Sequence, residues 1–173
     1  CSSTYFITSW KTDNPGISAD NQITIPTHPD ETYNYTVAWG DGTSDENITG
    51  DITHTYATAG TYQVSIRGDF PRIYFDDLTF NETTNDSDKI MDVNQWGSIE
   101  WTSMESAFHG CANLDVTALD LPDFSRVTSL VYMFRGCRSL IGNESMNSWD
   151  VSNITNLVAA FNTTDLFNQD ISN

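Results

Sequence analysis

Basic residues are scarce. Two lysines and five arginines stand against 24 acidic residues, giving a net charge of −17 over 173 residues. A surface this acidic repels phosphate backbones and anionic headgroups, which excludes nucleic acid as a partner. Long hydrophobic runs are missing as well: the apolar runs are a few residues long, against roughly 20 for a helix that crosses a bilayer, so no transmembrane segment is expected. Cysteine occurs three times, without the paired spacing of a zinc site, and no glycine-rich loop leads to a lysine that could cradle a phosphate. What is present suffices for a core, because 38% of the residues are apolar and 12% aromatic. The length suits one medium domain or two small ones.

Periodicity divides the chain. Residues 4–10, 22–25, 33–39, 50–56 and 61–67 read as short strands with alternating apolar positions, for example Tyr33, Tyr35, Val37 and Trp39 on one face. Asn14-Pro15-Gly16, residues 26–29 and Gly40-Asp41-Gly42 separate them as turns. Several short strands without a helical stripe predict a β-sandwich.

The residues of this half resemble a known family. Trp39-Gly40-Asp41-Gly42-Thr43, then His54-Thr55-Tyr56, then Ala59-Gly60-Thr61-Tyr62 and Val64 look like the paired signature of polycystic-kidney-disease (PKD) repeats. The resemblance covers residues 4–80 and implies an Ig-like extracellular sandwich. A fold of that kind specifies no chemistry.

The second half repeats itself. Trp101-Thr102-Ser103-Met104, Phe108, Cys111 and Leu114 recur as Val127-Thr128-Ser129-Leu130, Phe134, Cys137 and Leu140, each 26 residues on. A third copy, Ile154-Thr155-Asn156-Leu157, Phe161, Thr164 and Phe167, follows at 27. A fixed period of this size predicts stacked coils that bury their apolar ladders against one another. Trp149-Asp150-Val151-Ser152-Asn153-Ile154-Thr155-Asn156-Leu157 and Phe167-Asn168-Gln169-Asp170-Ile171-Ser172 resemble the BspA-type leucine-rich repeats of bacterial surface proteins, over residues 96–173. That resemblance implies a surface adhesin rather than an enzyme. The expected architecture is therefore mainly β: a PKD-type Ig-like β-sandwich over residues 1–80 capping a leucine-rich-repeat solenoid over 96–173, with 81–95 as connecting loop and cap. Residues 70–75, apolar for a linker, are expected to pack between the two. Because the family pattern would continue past Ser172, Phe161, Leu166 and Phe167 are expected to be partly exposed, and further repeats or another chain to cover them.

Candidate sites follow from residue type. His28, His54 and His109 lie in unrelated contexts and form no local nucleophile and base pair, so no catalytic residue is assigned. Asp41, Asp45, Glu46 and Asp51 cluster around the turn at 39–50, where carboxylates and loop carbonyls could hold Ca²⁺; the alternative is a solvated acidic loop. No other cofactor is expected. Trp10, Trp96, Trp101 and Trp149 could stack on sugar rings if exposed, or fill the core. In the solenoid reading Cys111 and Cys137 fall on adjacent coils, roughly 4.8 Å apart, which admits either a disulfide or a ladder of small buried side chains continued by Thr164. Cys1, followed by two serines, reads either as a lipidated residue after signal removal or as an arbitrary boundary. Seven Asn-x-Ser/Thr sequons, Asn34, Asn47, Asn81 and Asn153 among them, fit chance in an Asn- and Thr-rich bacterial chain. The expected function is non-enzymatic adhesion or display at the bacterial cell surface or outside the cell, binding a protein or glycan. The alternative is a carbohydrate-binding accessory module.

Overall fold

The structure, a computed structural model, describes residues 4–75 and 84–172. Alternation places one face of each central strand inward. In β1 (Phe6–Lys11), Phe6, Thr8 and Trp10 are buried; in β3 (Asn34–Ala38), Tyr35 and Val37; in β6 (Thr61–Asp69), Val64 and Ile66. β1 pairs antiparallel with β6, Phe6 opposite Ile66 and Trp10 opposite Tyr62. The remaining strands are β2 (Gln22–Ile25), β4 (Ser44–Ile48), β5 (Ile52–Thr55), β7 (Ile90–Gln95) and β8 (Asp115–Val116). They form a six-stranded sheet of order β4-β3-β6-β1-β7-β8 and a two-stranded sheet β2-β5. The larger sheet is mixed, because β8 runs parallel to β7 while the other pairs are antiparallel.

This arrangement corrects the expected fold. The chain is mainly β, and no α-helix occurs among the described residues, but the Ig-like sandwich capping a leucine-rich-repeat solenoid is not what forms. The sheet begun by the first half does not close there. It continues into β7, within the segment expected to be a connecting loop, and then into β8. The repeats supply no strand per copy. Beyond the two-residue β8 they contribute isolated parallel bridges, Glu100 to Asp123 and Ser129 to Asn156, and a short 3-10 helix, Glu144–Ser148.

The backbone explains why no strand ladder develops. Ser106, Tyr132 and Ala159 occupy equivalent positions with φ of 53°, 57° and 51°, and Gly110, Gly136 and Thr163 are equivalent with φ of 76°, 82° and 60°. A left-handed residue every fourth position cannot stay extended. Each copy instead winds through consecutive turns. Ala107 N–H bonds Met104 C=O, His109 N–H bonds Ser106 C=O, and Cys111 N–H bonds Phe108 C=O. The alternate N–H groups cross to the next copy: Ser106 to Val131 at 2.9 Å, Phe108 to Met133 at 2.9 Å and Gly110 to Arg135 at 2.8 Å. The 26-residue period is thus a stack of bonded turns. Inside it Phe108 stacks on Phe134, centroids 5.5 Å apart, and Phe134 lies 5.6 Å from Phe161.

Both halves share one apolar core, in which Phe6, Trp96 and Trp101 meet edge to face or stacked. Residues 70–75 cover the first turn. Thr102 N–H bonds Pro71 C=O at 2.9 Å, Phe75 N–H bonds Ser106 C=O at 3.0 Å, and Ile73 and Phe75 are fully buried.

Candidate functional site

Carboxylates outnumber basic side chains 24 to 7, and the fold uses several of them as acceptors for backbone N–H groups. Asp115 accepts from Val116, Ile141 and Gly142, joining β8 to the next copy. Asp120 accepts from Trp96 and Gly97, and Asp92 from Thr117. Three Asp-x-Ser turns recur, Asp123 to Ser125, Asp150 to Ser152 and Asp170 to Ser172, and in each the bonds from the serine hold the carboxyl below its ordinary range. Asp86, almost fully buried, accepts from the backbone of Ser18 and Thr24 and from the Ser18 hydroxyl. Beside it the fully buried Lys89 ammonium meets four oxygens: Ser18 C=O at 3.0 Å, Ser18 Oγ at 2.8 Å, Ala19 C=O at 2.9 Å and Gln22 C=O at 3.0 Å. Spacing gives no sign of this cluster, since its members come from two loops about 70 residues apart in sequence.

The four proposed calcium ligands do not converge. Asp41 accepts from the Thr43 backbone and hydroxyl and from His54 Nε2 at 2.9 Å, and its carboxyl is pulled down to about 2, chiefly by Thr43. Asp45 accepts the Trp39 indole N–H at 2.7 Å, and Asp51 accepts from the Thr27 backbone and hydroxyl. Glu46 is exposed on β4. Among the described residues no group of three or more His, Cys, Asp or Glu side chains could hold a metal ion, so the calcium expectation is corrected. The turn at 39–50 is a strand hairpin whose aspartates already have donors.

Cys111 and Cys137 are fully buried free thiols, so the structure holds the small-side-chain ladder rather than the disulfide. Cys137 Sγ donates to Phe108 C=O at 3.1 Å, and burial pushes both thiols well above their ordinary range. Cys1 and Asn81 lie outside the described residues. His54 stacks on Trp39, centroids 4.5 Å apart and 6° from parallel, while His28 packs on Tyr74 and His109 on Tyr132; the three histidines do not meet. Trp10, Trp96, Trp101 and Trp149 are all buried, as is Trp39, so none offers a face to a sugar.

A cleft and a set of apolar side chains stand open to solvent among the described residues. A cleft of about 590 Å³ lies where the halves meet, with Asp30, Glu31, Asp69, Glu100, Thr102 and Arg126 on its walls. Glu31 accepts from the Thr102 hydroxyl at 2.9 Å across it, and Arg126 lies 3.6 Å from Glu100. The second feature is apolar. Leu119, Leu121, Ile141, Leu157, Val158 and Leu166 are exposed, and all lie in the repeats; Ile17 is exposed in the first half. Leu157 and Val158 show 49% and 59% of their surface, whereas the equivalent Leu130 and Val131 show 0% and 9%. Phe161 and Phe167 are half-buried and stack on each other at 4.5 Å, and Leu166 is exposed.

Residues 102–173 match the family model described as "Mycoplasma protein of unknown function, DUF285". The match begins at the first turn of the stack and covers all three copies. No curated protein and no solved structure matches the chain. No helix among the described residues is long and apolar enough to cross a membrane.

Proposed function

We propose that the chain is a non-enzymatic adhesion or display module that works at the bacterial cell surface or outside the cell and binds a protein through the surface of its repeats. The observation that supports this reading is the exposure of Leu119, Leu121, Ile141, Leu157, Val158 and Leu166 within the repeats. Apolar side chains exposed within the repeats of an otherwise acidic chain suit a protein partner, because the buried centre of a protein–protein contact is apolar. Burial of all five tryptophans takes away the feature on which the carbohydrate-binding alternative depends. In this reading Cys1 is where a lipid would tether the module, which the intact mass of the native product checks.

The test compares the purified chain with the triple variant Leu119→Asp, Leu121→Asp, Ile141→Asp, whose targets are exposed and not needed for the core. Binding to immobilised extracellular-matrix proteins should saturate, survive glycosidase treatment of the surface, disappear after protease treatment, and fall at least about tenfold in the variant, equivalent to roughly 1.4 kcal/mol. Saturable binding to one glycan on an array, unchanged by the variant, would replace this reading with the carbohydrate one.

A further inference from the structure

The structure sorts the Asn-x-Ser/Thr sequons by what their side chains already do. Six of the seven lie among the described residues, at Asn34, Asn47, Asn85, Asn143, Asn153 and Asn162. Asn143 donates its amide to Val116 C=O at 2.9 Å and Ala118 C=O at 3.0 Å, and the Ser145 hydroxyl of its sequon is spent on Ala118 C=O as well. Asn153 donates to Ser125 C=O at 3.1 Å, with the Thr155 hydroxyl on Thr128 C=O. The Asn85 side chain accepts the Ser87 N–H at 2.9 Å, and Asp86 between them is buried. At Asn162 the sequon hydroxyl, Thr164 Oγ1, bonds Phe161 C=O at 2.7 Å. Asn34 opens β3, which lies between β4 and β6, and the middle residue of its sequon, Tyr35, is buried. At Asn47 both groups are free: Asn47 and Thr49 are exposed, and neither side chain has a hydrogen bond among the described residues. Asn47 sits on β4, the outermost strand of the larger sheet, at a break in register where its φ is 57°.

We propose that Asn47 is a glycan attachment site, loaded after the chain has folded outside the cytoplasm by transfer of an oligosaccharide from a lipid-linked donor. The proposal rests on the reading above for that location alone. A transferase recognises the tripeptide by the asparagine amide and the hydroxyl two residues on, so both must be unbonded and the backbone beside them reachable. Among the described sequons of the folded chain, Asn47 meets that condition and the other five do not. In the reaction Asn47 Nδ2 attacks the anomeric carbon of a polyprenyl-diphosphate oligosaccharide. The new nitrogen–carbon bond replaces the carbon–oxygen bond to phosphate, whose electrons leave with polyprenyl diphosphate, and Nδ2 gives up one proton to a base of the transferase. The backbone suits the residue, because asparagine tolerates the left-handed region better than most side chains, and the bulge lifts it out of the strand ladder. An oligosaccharide here also stands beside the open edge of β4. That strand, Ser44–Ile48, carries neither lysine nor proline to discourage pairing with other chains, and a hydrated glycan blocks their approach.

The experiment has two arms. The native product, digested and analysed by mass spectrometry, should yield the peptide that contains Asn47 with an added glycan mass. In the second arm the whole folded chain is incubated with a lipid-linked oligosaccharide and a purified oligosaccharyltransferase that accepts the plain Asn-x-Ser/Thr tripeptide. Asn47 should be occupied first, and Asn85, Asn143 and Asn153 at least about tenfold more slowly, because each must open locally before it can react. A proteolytic digest of the same chain should lose that preference. Asn47→Gln and Thr49→Val should each abolish the fast transfer, whereas Thr49→Ser should keep it and Asn34→Gln leave it unchanged. Thr49→Val retains the left-handed asparagine, so its loss of transfer does not depend on how position 47 folds. The inference is overturned if the native peptide carries only unmodified Asn47, if the folded chain receives no glycan, if fast transfer survives Asn47→Gln, or if the bonded sequons are occupied as fast as Asn47. None of these results touches the Leu119, Leu121 and Ile141 test, so the two readings fail separately.

Discussion

Lys89 is one of two lysines in the chain, and the fold buries it completely. Replacing it with methionine keeps the stem and removes the charge. Of its acceptors, Ala19 C=O keeps the Gln22 N–H, but Ser18 C=O loses the partner it has here, and the single Ser18 hydroxyl proton serves either Asp86 or Gln22 C=O and leaves the other one donor short. Each acceptor left short of a donor costs about 1–3 kcal/mol, so the two together cost about 2–6 kcal/mol, and the Asp86 carboxylate also loses a nearby positive charge. Relief from burying an ammonium offsets part of this, which leaves a net loss of about 2–4 kcal/mol. Urea unfolding followed by fluorescence of the buried tryptophans measures it. With a slope of about 2 kcal/mol per molar, the midpoint should fall by about 1–2 M. Lys11→Met is the internal control: its ammonium sits at the surface 3.2 Å from Asp13, both about half exposed, and its removal should leave the midpoint in place. A Lys89→Met midpoint within error of the Lys11→Met midpoint would refute the argument that the oxygen cage holds loop 16–22 to β7.

Other outcomes follow from the same structure. Gly40 has φ +83° and an added Cβ would lie 2.4 Å from Gln63 C=O, whereas Gly42 has φ +93° and open space around it, so Gly40→Ala should unfold at clearly lower urea than Gly42→Ala, which bears only the left-handed cost of about 1–2 kcal/mol. Phe134→Ala should cost about 3–5 kcal/mol, because its fully buried ring stacks between Phe108 and Phe161; a loss under about 1 kcal/mol would mean that the ladder does not hold the turns together. The folded pKa of Asp41 lies below its unfolded value, so its contribution is present above about pH 4 and is lost as the pH falls toward 2; carbon-detected titration should place it near 2, and Thr43→Val should move it up toward 3.8.

Strands that alternate are legible in the sequence. Residues 22–25 and 61–67 match β2 and the start of β6 because one face is core and the other solvent. β4 leaves no such trace: Ser44–Ile48 is an edge strand exposed at four of five residues, so polar side chains occupy both faces and no period survives. β7 escapes for a different reason, since its order depends on β1 offering a free edge, which a local pattern cannot report. The period of 26 to 27 residues is expressed in hydrogen bonds between copies, but the conformation differs from the one expected. A solenoid of strands assumes extended backbone, and the left-handed φ of Ser106, Tyr132 and Ala159 has no signature in residues that are not glycine. The calcium reading counts carboxylates without their donors. Asp41, Asp45 and Asp51 are each engaged by side chains that only folding brings near.

The Asp-x-Ser turns separate two properties that usually travel together. At Asp123, Asp150 and Asp170 the carboxylate acts as a carbonyl-like acceptor for an N–H two residues on, a role an amide oxygen performs equally well. Exchanging the three for asparagine would bring the net charge from −17 to −14 while every turn keeps its acceptor. The molecule's electrical character can in this way be dialled without touching its shape, and the force that draws a partner in from a distance can be weighed separately from the fit that retains it.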